Sequence, residues 1–134
     1  MPVIVTEQYP KALGKTVPEL DITNAHKWEK MTFSMISPDV LAVLEKNKTK
    51  SVLLVGIEAH VCVLQTALDL IENNYEVHVI ADGVSSQRPS DRFSALERMR
   101  QSGAFVTTSE SAVFQLMTSA NHPAFKGKLF KISI

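Results

Sequence analysis

Ser51-Val52-Leu53-Leu54-Val55-Gly56-Ile57 runs into the turn Glu58-Ala59-His60 and then into Val61-Cys62-Val63, and this stretch decides the fold. An uninterrupted apolar run marks a strand covered on both faces, as strands of parallel sheets are. The period then changes. From about His60 to Asn73, Val61, Leu64, Leu68 and Ile71 recur at helical spacing. Val63, Ala67 and Leu70 fill much of the remaining circumference, so this helix is heavily buried.

Outward from there, the same alternation of short apolar run and helical pattern repeats. Glu76 to Ala81 reads as the next strand, ended by Asp82-Gly83. Arg88 to Gln101 reads as an amphipathic helix stopped by Gly103, which suits the left-handed position after a helix. Ala104 to Thr107 is a last strand, and Ser109-Glu110 supplies a cap and a favourable charge for a helix to about Ala120. Upstream, Val3-Ile4-Val5 is a β-branched strand at the N-terminus. Residues 7–27, punctuated by Pro10, Gly14, Pro18 and Asn24, read as a long loop of the kind that often carries function. Met31 to Met35 reads as a short extended segment, and Pro38 fits the first turn of a helix to about Lys46. Strands alternating with helices define an α/β domain with a parallel sheet.

A chain of 134 residues is one domain, long enough to bury a core without disulfides or metals. The formal net charge is zero, which argues against nucleic acid or anionic lipid as an electrostatic partner. The single cysteine forbids an internal disulfide and fits a reducing compartment, so the expected location is cytoplasmic. No apolar run reaches the roughly 18–20 residues of a membrane span. Met1-Pro2-Val3-Ile4-Val5-Thr6 is too short and uncharged for a signal peptide, and without one the sequon Asn47-Lys48-Thr49 carries no weight. No glycine-rich phosphate loop follows any strand, and no aromatic-basic interleaving suggests RNA or single-stranded DNA. His26, His60, His78 and His122 are scattered without ligand spacing, so neither metal nor cofactor is expected.

Cys62 follows the best strand after a short turn and opens the most buried helix. Unpaired N–H groups and the partial positive charge of a helix start favour thiolate, and the same N–H groups can hold an oxyanion. A lone cysteine is more often a small buried hydrophobe, and position alone favours that reading. The strand-turn-cysteine-helix order is suggestive only.

Gly56-Ile57-Glu58-Ala59-His60-Val61-Cys62-Val63, with Gln65-Thr66-Ala67 and Asp69 behind it, resembles the active-site segment of the isochorismatase-like cysteine hydrolases. Val5-Thr6-Glu7-Gln8-Tyr9-Pro10, Lys30-Met31-Thr32-Phe33-Ser34-Met35, Asp91-Arg92 with Ala95-Leu96, and Thr108-Ser109-Glu110-Ser111 resemble the eukaryotic isochorismatase domain-containing proteins in the same order. The resemblance implies a three-layer α/β/α, Rossmann-like parallel sheet. It implies hydrolysis of a small amide, imide or vinyl-ether-type molecule, without nucleic acid or membrane, by a protein that self-associates. Cys62 would be the nucleophile and Lys30 the ammonium that lowers the thiol pKa and steadies negative charge. Taken bare, Lys30 is an ordinary surface charge, although Trp28 and Phe33 beside it allow an apolar pocket. The resemblance also implies an oxyanion hole from the backbone amides of Ala59 and Cys62, and a non-proline cis peptide at Glu58-Ala59. Glu7, Gln8 and Tyr9 would line the substrate pocket; exposed-loop residues are the alternative reading. His60, two residues from Cys62 across a turn, is expected to point elsewhere. Asp82 and Asp91 are read as turn and cap residues.

The family's general-base aspartate lies on a first strand ahead of the Thr-Glu-Gln-Tyr-Pro segment. Residues 1–134 offer nothing onto which it can be carried. The expected domain therefore lacks the family's N-terminal strand and helix, and that strand would be central, between Val3–Val5 and Ser51–Ile57. A longer native protein, a different pairing, a strand borrowed from a partner or a shortened product each satisfy this. Whether the chain is an enzyme is left open, a non-catalytic binding or interaction protein on the same fold being the competing expectation. Gly127 to Ile134 departs from the family and is assigned no structure.

Overall fold

The structure, a computed structural model, describes residues 1–125. Strand β1 (Ile4–Gln8) and the single turn α1 (Pro10–Leu13) lead to β2 (His26–Lys30), α2 (Pro38–Lys46) and β3 (Ser51–Ile57). A π-helical turn (Ala59–Val63) continues into α3 (Leu64–Glu72), followed by β4 (Glu76–Ser85), α4 (Pro89–Gln101), β5 (Phe105–Thr107) and α5 (Ser109–Met117). Every strand pairing is parallel.

Two separate ladders result: β1 with β2, and β3-β4-β5 with β4 in the middle. No strand pairing joins them among the described residues. The core lies on one face of the larger sheet. Leu54 of β3 and Val77 and Val79 of β4 meet Val40 and Leu44 of α2, Ala67 and Leu70 of α3, and Ala95 and Met99 of α4. Fully burying each of the larger side chains contributes about 1.5–3 kcal/mol before conformational entropy is subtracted. On the other face, α5 packs on β4, with Ile80, Ala112 and Met117 buried. Cover there is partial: Val55, Ile57 and Phe105 are more than half exposed.

Several boundaries differ from the sequence reading. The extended segment after the long loop is His26–Lys30, not Met31 to Met35, because Ile4 through Gln8 pair in register with His26 through Lys30. In that strand only Trp28 packs against the core, so no apolar alternation announces it. Asp82-Gly83 does not end β4. Between the pairs Leu54–Val79 and Gly56–Val84 the strand bulges and then resumes. Gly83 allows this, since a Cβ there would meet Val55 Cγ1 at 2.9 Å. Arg92 donates to the carbonyls of Ala81 and Val84 and so satisfies the bulge. Helix α5 stops at Met117, short of Ala120, where Thr118 turns left-handed at φ 58°. Pro38 opens α2 as expected, with the Ser37 hydroxyl accepting from Val40 N–H. Gly103 takes the left-handed region at φ 104°. The tail Gly127 to Ile134 lies outside the described residues.

Candidate active site

The C-terminal ends of β1, β2 and β3 converge, and the side chains brought together there come from both ladders. Cys62 is the fourth residue of the π turn that follows β3, and it is half-buried. The turn is closed by Val63 N–H donating to Glu58 C=O at 3.2 Å, five residues back. Such π turns recur at functional sites because they re-aim a side chain relative to the helix behind it.

Lys30 ends β2, paired with Gln8 at the end of β1. Its Nζ lies 3.7 Å from Cys62 Sγ. Three oxygens hold the ammonium there: Gln8 Oε1 at 2.5 Å, Thr32 C=O at 2.8 Å and Phe33 C=O at 2.7 Å. The expected apolar pocket from Trp28 and Phe33 is thus replaced by a carbonyl cradle, and Phe33 is itself exposed. An ammonium has three protons, and this cradle fixes all of them while keeping the positive charge against the sulfur. That arrangement can stabilise thiolate and any negative charge formed beside it.

Of the three residues expected to line a pocket, only Gln8 reaches the pair. Its amide spans Lys30 Nζ and, through Nε2, the carbonyl of Met31 at 2.9 Å. Glu7 is buried and turned to the long loop, where its Oε1 accepts from Thr16 N–H at 2.9 Å and Thr16 Oγ1 at 2.8 Å. The bond from the Thr16 backbone N–H, then that from its hydroxyl, hold the Glu7 carboxyl below its usual range, with Lys27 and Lys15 adding to the effect. Tyr9 is exposed and adopts the left-handed region at φ 37°, donating its N–H to Lys30 C=O at 3.0 Å.

The cis peptide falls at Ile57-Glu58, one bond earlier than the Glu58-Ala59 position expected. It directly precedes the π turn, which begins at Ala59. His60 points away from the sulfur: its Nδ1 lies 3.0 Å from Ser86 Oγ and 3.8 Å from Glu58 Oε2. One nitrogen serving both partners is not a relay. Asp82 binds Ser109 through that residue's hydroxyl and N–H, which keep its carboxyl below the usual range and cap α5. Among the described residues no three His, Cys, Asp or Glu side chains converge.

Two features go beyond the sequence reading. The carbonyls of Thr32 and Phe33 are backbone atoms that no residue type announces. Thr66, buried on α3, bonds Cys62 C=O at 2.6 Å and Met35 N–H at 3.0 Å. A polar residue four positions after the cysteine on a buried helix face was the available clue.

A parallel α/β domain that sets a cysteine at a strand-to-helix turn against a lysine from a neighbouring strand defines a class, and known proteins show which one. The Isochorismatase domain model matches residues 1–111. Isochorismatase domain-containing protein 2 of Xenopus laevis is 52% identical over 127 residues, covering 94% of this chain and 62% of its own length. The secreted isochorismatase effector Isc1 of Phytophthora sojae is 51% identical, covering 98% of this chain and 67% of its own. The structure of the MAR1 ribonuclease from Caenorhabditis elegans superposes with a TM-score of 0.89 at 49% identity, over 94% of this chain and 66% of that one. The chain belongs to the isochorismatase family. It spans about two thirds of the length of these relatives.

Proposed function

We propose that this one-domain chain carries the reacting pair of a cysteine hydrolase acting on a small amide, imide or vinyl-ether-type molecule. The single supporting observation is Lys30 Nζ at 3.7 Å from Cys62 Sγ, in a cradle that leaves the ammonium no other anionic partner among the described residues. In this reading the Cys62 thiolate attacks the electrophilic carbon, and the backbone amides of Ala59 and Cys62 receive the oxyanion. For an amide or imide the carbon–nitrogen bond breaks, the leaving nitrogen takes through solvent the proton the thiol gave up, and water then hydrolyses the thioester to carboxylate and thiol. A vinyl ether takes that proton on its terminal carbon, and the resulting mixed O,S-ketal loses the alcohol and is hydrolysed to ketone and thiol. Lys30 steadies the negative charge throughout. Gln8 holds Lys30 in place; Tyr9, exposed at the rim, is available to a substrate.

The proton of the thiol needs an acceptor, and residues 1–134 carry none at the place the family resemblance assigns to its aspartate. We therefore propose that this stretch alone turns over poorly. Iodoacetamide alkylation of Cys62 tests the pair: Lys30→Met slows it on the order of tenfold near neutral pH. An unchanged rate removes the catalytic reading. A turnover rate matching that of a full-length relative on a shared substrate removes the impairment. Binding of a small carbonyl compound without turnover, by a protein that carries the whole family domain, would support the second reading, a non-catalytic binding protein. One relative bears the name ribonuclease, so single-stranded RNA belongs among the probes; its cleavage would displace the small-molecule substrate.

The YcaC gene product of Escherichia coli, 25% identical with a TM-score of 0.82, is an octameric hydrolase of unknown specificity. We propose self-association here too, to be read by sedimentation velocity. No helix of the described residues is long and apolar enough to cross a membrane. A cytoplasmic setting is part of the proposal, and recovery in the secreted fraction overturns it.

A further inference from the structure

Thr66 is 2% exposed and has a single hydroxyl, yet that hydroxyl serves two segments of chain. It donates to Cys62 C=O at 2.6 Å, the back-bond a threonine in a helix often makes to the residue four positions earlier. The second bond is not local: Met35 N–H donates to the same oxygen at 3.0 Å, across 31 residues of sequence. Met35 closes the segment whose Thr32 and Phe33 carbonyls hold the Lys30 ammonium. The contacts form a ring: Cys62 backbone to Thr66 hydroxyl, Thr66 to Met35, back along the chain to Phe33 C=O, from there to Lys30 Nζ, and across 3.7 Å to Cys62 Sγ.

We infer that Thr66 is a positioning residue, which sets the lysine-bearing segment in register with the cysteine. The inference rests on the reading of Cys62 and Lys30 as the reacting pair. Its physical basis is the bond itself: the segment that cradles Lys30 meets the helix behind Cys62 through the Thr66 hydroxyl, beside the apolar packing of Trp28, Met35 and Ile36 against the core. The directional part of that contact fixes the height of the cradle along the helix, which packing alone leaves free to slide. Among the described residues, the Thr66 bond to Met35 joins the lysine-bearing segment to the cysteine helix through a buried hydroxyl. Burial matters here: the bond is shielded from competing water, and its loss leaves the Met35 N–H without the partner it has now. Thr66 itself does not touch the reacting atoms.

The experiment is a double-variant cycle read by the iodoacetamide alkylation rate of Cys62, with urea titration of each variant to keep the comparison on folded protein. Thr66→Val keeps the shape and removes the hydroxyl; it is expected to slow alkylation roughly fivefold to tenfold, the size that loss of a buried hydrogen bond supports. Thr66→Ser keeps the hydroxyl and is expected to stay within about twofold of the parent. The decisive arm is the pair: Thr66→Val in the Lys30→Met background slows alkylation no further, because Thr66 acts through Lys30. Multiplying effects overturn the inference, as does a parent-like rate in Thr66→Val while Lys30→Met is slow. An unchanged rate in Lys30→Met itself overturns the reading of the pair and this inference with it, so the two failures are told apart. If the valine variant does not fold, Thr66→Ala is read in its place with the same outcomes.

Discussion

The two ladders are held by different physics. The β3-β4-β5 sheet is packed by three helices on one face and α5 on the other, and its fully buried side chains include Leu70, Met99, Val77 and Val79. The β1-β2 pair buries little; Ile4 and Trp28 reach the core only in part. Polar bonds do the remaining work there: Glu7 to Thr16, Gln8 to Lys30 and Met31, and Thr66 to Met35. The cysteine is mounted on the first region and the lysine on the second. A rigid, apolar frame therefore carries the sulfur, while the charge beside it depends on hydrogen bonds. The division teaches that stability and site geometry are separable in this molecule.

The largest effect expected from breaking this contrast lies in the frame. Leu70→Ala leaves a cavity in the core and should cost about 2–5 kcal/mol in urea titration. A loss below about 1 kcal/mol would mean that the frame is loosely packed. A smaller effect sharpens the contrast directly. Trp28 is the sole tryptophan and sits in β2, whereas far-UV circular dichroism is dominated by α2, α3, α4 and α5. Tryptophan fluorescence should therefore change at lower urea than the dichroism. Coincident transitions would join the two regions into one cooperative unit.

Acid gives a third separation. Glu7 has its carboxyl held below its ordinary value of 4.5, so its contribution to stability is complete above that value and is lost as pH falls through the lower, folded one. The fluorescence-detected midpoint should decline below about pH 4.5, and Glu7→Gln should remove that share of the decline. The dichroism-detected midpoint keeps an acid sensitivity of its own from Asp82, whose carboxyl is depressed by Ser109. Equal loss in both signals would contradict the division. Smallest of all should be Lys27→Met, since Lys27 is largely solvated and 3.9 Å from Glu7. Its urea midpoint should match the parent within error.

The same division explains what could be read from sequence. Val52 to Ile57, the helix after it and the helix opened by Pro38 were legible because burial leaves a period in the apolar residues. Strand β2, His26–Lys30, was displaced by five residues because a strand with one core-facing side chain leaves almost no period. The resumption of β4 after Asp82-Gly83 was hidden for another reason: it depends on Arg92, contributed by α4, satisfying the bulge carbonyls. At the site, Cys62 and Lys30 were named through family resemblance, and the structure brings them together. The carbonyl cradle and the Met35 bond to Thr66 involve backbone atoms, which any residue carries and no spacing reveals. Glu7 turns to Thr16 and not to the pair because alternation along β1 sets its side chain on the face opposite that of Gln8.

Trp28 and Cys62 are each the only residue of their kind in the chain, Trp28 on the β1-β2 ladder and Cys62 on the turn that follows β3. The molecule thus holds its own light source on one half and its own chemical handle on the other. An energy acceptor or nitroxide attached through the thiol would turn the separation of the halves into a brightness. A ruler of that kind needs no engineered residue, and it would register any movement of one ladder against the other.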